Sequence, residues 1–338
     1  MKKILVVNVN WIGDVIFSTP IFRALKVQYP QAAISCLCVP RVKEILESCP
    51  FVDEIIVYDE KGKHKYFLGK IKIILALWKR KFDIAFLLHR SWTRAFLIFC
   101  AGIPSRVGYD TKNRGKFLTS RIELPGQNIH RSDFYLNVIE TFGVPVGDRY
   151  TELAVSPQEK KETDQILWNE NISPEDKMVV VHIGGNWDLK RWPQDNFAKL
   201  IRRIEEELHF KIVIPGTLKD ARVADEIKES TGMEGTVLAG KTNLKQLIAL
   251  MKRADLVVSS DSGPLHIASS VGTNVIGLFG PTRPEITGPR GRGKSILLQK
   301  EIHCNQEPCY QLDCKDNICM KAVGVDEVFE KVKEILSG

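Results

Sequence analysis

The stretch Val257-Val258-Ser259-Ser260-Asp261-Ser262-Gly263-Pro264-Leu265-His266-Ile267-Ala268 decides how this chain is read. Four β-prone residues run into an acid, a hydroxyl, a glycine and a proline, and then into a helix-like segment that carries a histidine. Open parallel sheets bind ligands just beyond the carboxyl ends of their strands, where the following helix presents free N–H groups. An Asp-Ser-Gly turn at that place offers a carboxylate, a hydroxyl and bare backbone to a sugar phosphate. His266, a few residues into the helix, reaches the same group. The stretch therefore reads as a site for a nucleotide-linked ligand.

Outward from this stretch, strand-like and helix-like runs alternate. Residues 3–9, 33–39, 54–58 and 84–88 read as short strands, with an amphipathic helix over 19–29 that begins near a proline. A second series of strands covers 178–182, 211–215, 236–238, 256–259 and 275–279, separated by helix patterns at 196–208 and 244–252. Alternation of this kind twice over predicts an α/β chain with two parallel, helix-covered sheets, that is, two Rossmann-like domains. The break is placed in the polar segment 156–177, which gives a first domain over 1–156 and a second over 157–325. The amphipathic tail, 326–338, is expected as a helix that returns to pack on the first domain.

Composition narrows the classes. The 338 residues are 44% hydrophobic and 26% charged, the profile of a folded globular protein with room for two cores. A net charge of +7 leans toward anionic partners. The basic residues are dispersed, however, and form no nucleic-acid-binding module, so no nucleic acid is expected as a partner. No run reaches the ~18 apolar residues of a membrane span. Asn8, Asn10 and Asp14 interrupt the apolar N-terminus too early for a signal peptide, so a cytoplasmic protein is expected.

Other motifs carry alternatives. Asn8-Val9-Asn10-Trp11-Ile12-Gly13-Asp14 joins the first strand to a helix but holds a single glycine, which argues against a dinucleotide fingerprint. Asp14 is either a helix N-cap or a general base beside an acceptor hydroxyl. In the second half, His182-Ile183-Gly184-Gly185-Asn186-Trp187-Asp188-Leu189-Lys190-Arg191-Trp192-Pro193 ends a strand in two glycines and a basic pair. Bare backbone with an ammonium suits a diphosphate, whereas an ordinary loop would leave the pair solvated. Gly288-Pro289-Arg290-Gly291-Arg292-Gly293-Lys294-Ser295 fits the P-loop pattern by letter. A strand reading follows it where a helix is needed, so the P-loop reading is set aside.

Cys304, Cys309, Cys314 and Cys319 are evenly spaced, and in a cytoplasmic chain they suggest a structural zinc or cluster site before disulfides. Reduced thiols are the alternative. Residues 63–81 are basic with an apolar stripe, which reads either as a crossover helix with snorkelling lysines or as a helix lying on anionic lipid. Arg90, Arg94, Arg106, Lys112, Arg114 and Arg131 add cations to the first domain.

Taken together, the Gly-Asp turn, the His-x-Gly…Lys-Arg-Trp-Pro segment and Asp-Ser-Gly-Pro-x-His resemble the family 9 glycosyltransferases, the ADP-heptose:lipopolysaccharide heptosyltransferases, over essentially the whole chain. The cysteine series is more similar to the heptosyltransferase II branch. The resemblance implies the GT-B architecture, two Rossmann-like domains facing across a cleft, and inverting heptosyl transfer from ADP-heptose to the inner core of lipopolysaccharide. The implied acceptor is Kdo-lipid A or its heptosylated form, with no cofactor needed for transfer. It further implies Asp14 as catalytic base, and Lys190 as both a catalytic group and a diphosphate contact. Gly13, Gly184, Gly185, Asn186, Thr242, Asp261, Ser262, Gly263, Pro264 and His266 are implied around the donor. Gly185 and Asn186 stand where some members carry hydroxyl residues that touch phosphate. Arg90, Arg94, Lys112, Arg114 and Arg131 are the cations expected to hold a lipid-linked anionic acceptor at the inner face of the inner membrane. A hexosyltransferase or epimerase of the same fold, and a non-catalytic nucleotide-sugar-binding protein, are the rival readings.

Overall fold

The runs of β-branched and aliphatic residues become two six-stranded, wholly parallel sheets in a computed structural model of the chain. It describes all residues except 127, 186, 303, 305–308, 310–313, 315 and 338. The chain divides into two compact units, Met1–Glu152 and Leu153–Gly338. In the first, β1 (Lys3–Val7), α1 (Ile12–Phe17), α2 (Thr19–Gln28), β2 (Ala33–Cys38), α3 (Lys43–Glu47) and β3 (Glu54–Val57) come in succession. They are followed by α4 (Phe67–Arg80), β4 (Ile84–Leu87), α5 (Trp92–Cys100), β5 (Ser105–Tyr109), β6 (Ser120–Ile122) and α6 (Arg131–Glu140). The strand order is β3-β2-β1-β4-β5-β6, with Ile4 to Val7 in register with both Ile34 to Leu37 and Ile84 to Leu87.

The second unit repeats the plan. It runs α7 (Pro157–Asn169), β7 (Met178–His182), α8 (Gln194–Arg203), β8 (Lys211–Ile214), α9 (Leu218–Thr231), β9 (Thr236–Val237), α10 (Leu244–Arg253) and β10 (Leu256–Ser260). Then come α11 (Gly263–Ser270), β11 (Asn274–Leu278), α12 (Pro284–Thr287), β12 (Ser295–Leu298), α13 (Ile318–Lys321) and α14 (Val325–Leu336). The order β12-β11-β10-β7-β8-β9 mirrors the first sheet. Every residue of β4, β7 and β10 is buried, as strands covered by helices on both faces must be.

In both sheets the order reverses beside the first strand, between β1 and β4 and between β7 and β10. Side chains at the carboxyl ends of those strand pairs enter a crevice that no crossover covers. The loops after β1, β4, β7 and β10 are thereby singled out, and these loops together with the starts of the helices that follow them carry most of the expected site residues.

The unit boundary lies at Glu152/Leu153, four residues before the expected end of the first domain at 156, and part of the segment 156–177 is the helix α7, opened by a Ser156–Glu159 capping box. Its periodicity is weak because it buries only Thr163 and Leu167. Strands β5 and β6 were missed: Ser-Arg-Val-Gly-Tyr and Ser-Arg-Ile carry the polar residues of a sheet margin. The C-terminal helix α14 belongs to the second unit, where Val328, Phe329, Val332 and Ile335 enter the core beside α8, β10 and β11.

The P-loop-like run is accounted for by packing. A Cβ on Gly291 would overlap the Ser269 carbonyl, and one on Gly293 would overlap that of Thr273. These glycines let the segment lie against the end of α11 before it enters β12.

Phe329 is wholly buried on α14, so Phe329→Ala should lower unfolding free energy by about 3–5 kcal/mol, read from urea denaturation.

Candidate active site

In the second unit the site grows from the carboxyl end of β10. Asp261 follows the strand, Ser262 takes the N-cap position in extended conformation, and Gly263 and Pro264 form the first turn of α11. Asp261 is 5% exposed, and its burial is offset by a set of donors from three segments. Lys190 Nζ lies 2.6 Å from its Oδ2, and Thr282 Oγ1 donates to the same oxygen at 2.6 Å. Thr287 Oγ1 is 3.3 Å away, and His266 Nε2 lies 3.3 Å from Oδ1. Burial alone would push this carboxyl up; the His266 hydrogen bond and the Lys190 charge overcome it and hold the pKa well below the usual carboxylate range.

The outcome is an ammonium fixed at the N-terminal end of a helix by a buried anion. Lys190 closes a short 3-10 turn, Asp188–Lys190, with its ammonium 5.5 Å from the Trp187 ring centroid. Its neighbour Arg191 has a different task, donating to the Gly185 carbonyl at 2.7 Å and lying 3.8 Å from Asp220. The Asp220 carboxylate, capped into α9 by Thr217, presses on the glycine loop: a Cβ on Gly184 would fall 2.7 Å from it. Under this loop, His182 Nδ1 is 3.2 Å from Ser259 Oγ and 3.4 Å from Ser262 Oγ. Burial lowers the His182 pKa to about 4.

The first unit presents a separate cluster at its own switch point. Asp14 stands in the first turn of α1, but Trp11, not Asp14, is the N-cap residue, so the capping reading fails. Its Oδ1 instead accepts a hydrogen bond from Tyr135 Oη at 2.8 Å. Burial pushes the Tyr135 phenol well above its ordinary range, Asp14 adds to this, and Arg131 and Arg90 act in the opposite sense. Gly13 precedes Asp14 in the same turn. At the end of β4, His89 is lowered to about 3 by burial, and then by Arg94, Arg114, Lys112 and Arg90.

Two of those arginines are not available to a ligand, which corrects their expected role in acceptor binding. Arg94 is 1% exposed and spends its guanidinium on the Asn8 carbonyl, Asn10 Oδ1 and Glu60. It thereby braces the loop that leads to Asp14. Arg114 is fully buried and donates to the carbonyls of Tyr109, His89 and Leu87, holding β4 and β5 at their ends. Arg90 and Lys112 are exposed and Arg131 is half-buried at the start of α6. Of the five expected acceptor cations, these three are the accessible ones.

The donor set divides similarly. Gly184, Gly185, Lys190, Asp261, Ser262, Gly263, Pro264 and His266 gather where β7 and β10 diverge. Thr242 follows β9, three strands from β10, at the carboxyl end of the same parallel sheet. Asn186 lies outside the described residues. Thr282, Thr287 and Tyr135 were not singled out by the sequence, since each is tied to the site by a contact across more than 20 residues, and His182, the first residue of the glycine motif, meets Ser259 from 77 residues away.

The four late cysteines are reduced and half-buried. Among the described residues, no three His, Cys, Asp or Glu side chains converge as a metal site would require. Cys319 on α13 places its Sγ against Gly280, and the Cys309 N–H bonds the Pro281 carbonyl.

Two outcomes follow from these environments. Unfolded histidine titrates near 6.5 and buried His182 near 4, so the unfolded chain takes the extra proton between those values. Its contribution is complete above pH 6.5 and is lost as pH falls through about 4. The urea midpoint of the wild type should fall across that window, and that of His182→Gln should fall less steeply. Arg94→Met should cost ~3 kcal/mol in the same assay by stranding buried acceptors, whereas Arg90→Met leaves the midpoint unchanged.

The comparisons agree with this geometry. Residues 71–316 match the family model for glycosyltransferase family 9 (heptosyltransferase). The chain is 28% identical over 312 residues to lipopolysaccharide heptosyltransferase 2 of Escherichia coli strain K12, covering 87% of each chain. Among solved structures, it is similar to a family 9 glycosyl transferase from Veillonella parvula (TM-score 0.88, 25% identity, 99% of this chain and 97% of that one). It is also similar to the E. coli ADP-heptose lps heptosyltransferase II (TM-score 0.81, 25% identity, 99% and 98%). With the family match spanning most of the chain and the paired Rossmann-like units of the GT-B plan in place, this chain belongs to glycosyltransferase family 9 and is a glycosyltransferase of the heptosyltransferase kind.

Proposed function

We propose that this enzyme moves heptose from ADP-heptose, with inversion, onto the Kdo-lipid A or heptosyl-Kdo-lipid A part of the lipopolysaccharide inner core. The observation that carries the reading is the Lys190–Asp261 pair at the N-terminus of α11. It supplies a fixed cation and free backbone N–H groups where a diphosphate leaving group develops charge. The names of the similar heptosyltransferase 2 and heptosyltransferase II support donor and acceptor alike.

In the proposed reaction the first unit's cluster serves the acceptor and the second unit's cluster serves the donor. Asp14, oriented by Tyr135, takes the proton of an acceptor hydroxyl as its oxygen attacks the anomeric carbon. The bond to the diphosphate breaks on the opposite face, and ADP leaves with its charge offset by Lys190 and the α11 amides. Asp261 keeps Lys190 in place and turns its remaining acceptor capacity to sugar hydroxyls. Arg90, Lys112 and Arg131 hold the phosphates and carboxylates of the acceptor. No cofactor is needed in this scheme, because fixed protein charges do the neutralising.

A lipid-linked acceptor puts the enzyme at the cytoplasmic face of the inner membrane as a peripheral protein. Among the described residues, no helix is long and apolar enough to cross a membrane.

The test is ADP release from ADP-heptose with either acceptor, set against UDP-sugars and against donor alone. Acceptor-dependent release with ADP-heptose is expected. Release from a UDP-sugar instead would replace the donor, and donor binding without release on either acceptor would replace the acceptor. Asp14→Asn keeps an acceptor for the Tyr135 hydrogen bond, so it should bind donor normally yet turn over about 10²–10⁴-fold more slowly.

A further inference from the structure

Helix α4 buries one narrow face, Gly69, Ile73 and Leu77, and leaves a second apolar stripe facing outward. Phe67, Leu75 and Trp78 fall on that outer side at helical spacing and are 49–76% exposed, with Leu68 beside them at 71%. The surface continues onto α5. A Cβ on Gly102, just past the end of α5, would lie 3.8 Å from Trp78 Cδ1. Trp92, Phe96 and Phe99 step along α5 one turn apart, 37–46% exposed, over the buried ring of Phe117. Monomer surfaces rarely carry contiguous aromatic area of this extent without a use for it.

Charge identifies the occupant. From Lys61 to Lys81 the chain holds seven lysines and one arginine and no acid at all. Lys63, Lys65, Lys72, Lys79 and Lys81 are exposed around the stripe. On the α5 side, Lys116 lies over Trp92 and Arg106 over Phe99. A second copy of the chain on this face would bring one block of cations against an identical block, which disfavours self-association. An anionic bilayer meets both requirements: its headgroups neutralise the lysines, and its acyl boundary takes aromatic and aliphatic side chains a few ångströms deep.

We infer that α4 and α5 form the surface by which this enzyme sits on an anionic membrane, with Phe67, Leu75 and Trp78 inserted at the headgroup–acyl boundary and the lysines of 63–81 on the phosphates. The inference deepens the proposed function, since it rests on the lipid-linked acceptor, and it names a surface apart from the residues assigned to transfer.

The test is flotation of the full chain with vesicles of phosphatidylethanolamine and phosphatidylglycerol, and with vesicles of phosphatidylcholine alone. Wild type should float with the anionic vesicles, be released by salt, and stay behind with phosphatidylcholine. Phe67→Ser combined with Trp78→Ser, and separately Lys72→Glu combined with Lys79→Glu, should each lower partitioning on the order of tenfold or more. All four side chains are exposed, so the urea midpoint should not move, and transfer to a deacylated soluble acceptor should persist. The inference is overturned if wild type ignores anionic vesicles, if both variants float like wild type, or if size exclusion shows a wild-type dimer that the Ser variant abolishes. Failure of ADP release would remove the donor and acceptor assignment while leaving the flotation result intact, so the two readings fail separately.

Discussion

An all-parallel sheet with helices on both faces has nowhere to put polar chemistry except at its ends, and this constraint organises both halves of the chain. Strands β1, β4, β7 and β10 are buried along almost their whole length, so a charge within them would be stranded in apolar surroundings. At the carboxyl ends, where the strand order reverses, loops diverge and backbone amides point outward. Asp14, His89, Gly184 and Asp261 all stand at such ends. Their chemistry differs, but their location has one cause.

At these ends, charge is stabilised by pairing that is nearly complete. Asp261 is as buried as a core residue and remains ionised because Lys190, His266 and two threonine hydroxyls face it. A buried ion pair of this kind is weak evidence of stability and better evidence of positioning, since its partners fix each other's geometry. The same logic runs through Arg94, which holds the loop preceding Asp14 by two carbonyl-type oxygens and is itself paired with Glu60. Each candidate catalytic group is thereby held by a neighbour that itself has no reacting atom to touch. Tyr135 does this for Asp14, Asp261 for Lys190, and Asp220 with Arg191 for the glycine loop.

The surface of the first unit shows a different economy. Helix α4 is apolar on two sides, and only one of them is needed to cover the sheet. Snorkelling explains lysine stems along a crossover helix, but it does not explain Phe67 and Trp78 turned to solvent. Helix α4 does cross over the sheet, as the first reading of residues 63–81 expects, and its exposed outer face is the feature on which the second reading rests.

What the sequence determined by itself was whatever depends on neighbours along the chain. Apolar runs of four to six residues mark most strands, Gly and Pro after them mark the turns, and so the α/β class and the Asp261 and Gly184 loops were legible directly. Lys190 and Asp14 were legible as candidates for the same reason, each lying in a loop that a strand had already placed. Tertiary structure alone decided which cations stay accessible and which are braces. Arg94 and Arg114 look like Arg90 in sequence, yet distant segments supply carbonyl oxygens that bury the first two and leave the third exposed. The threonines that complete Asp261, the tyrosine that orients Asp14 and the second-unit berth of α14 were likewise invisible. A hydrophobic period is a local property, whereas the partner that satisfies a buried charge or covers a helix face arrives from elsewhere in the chain and is set only when the sheets have formed.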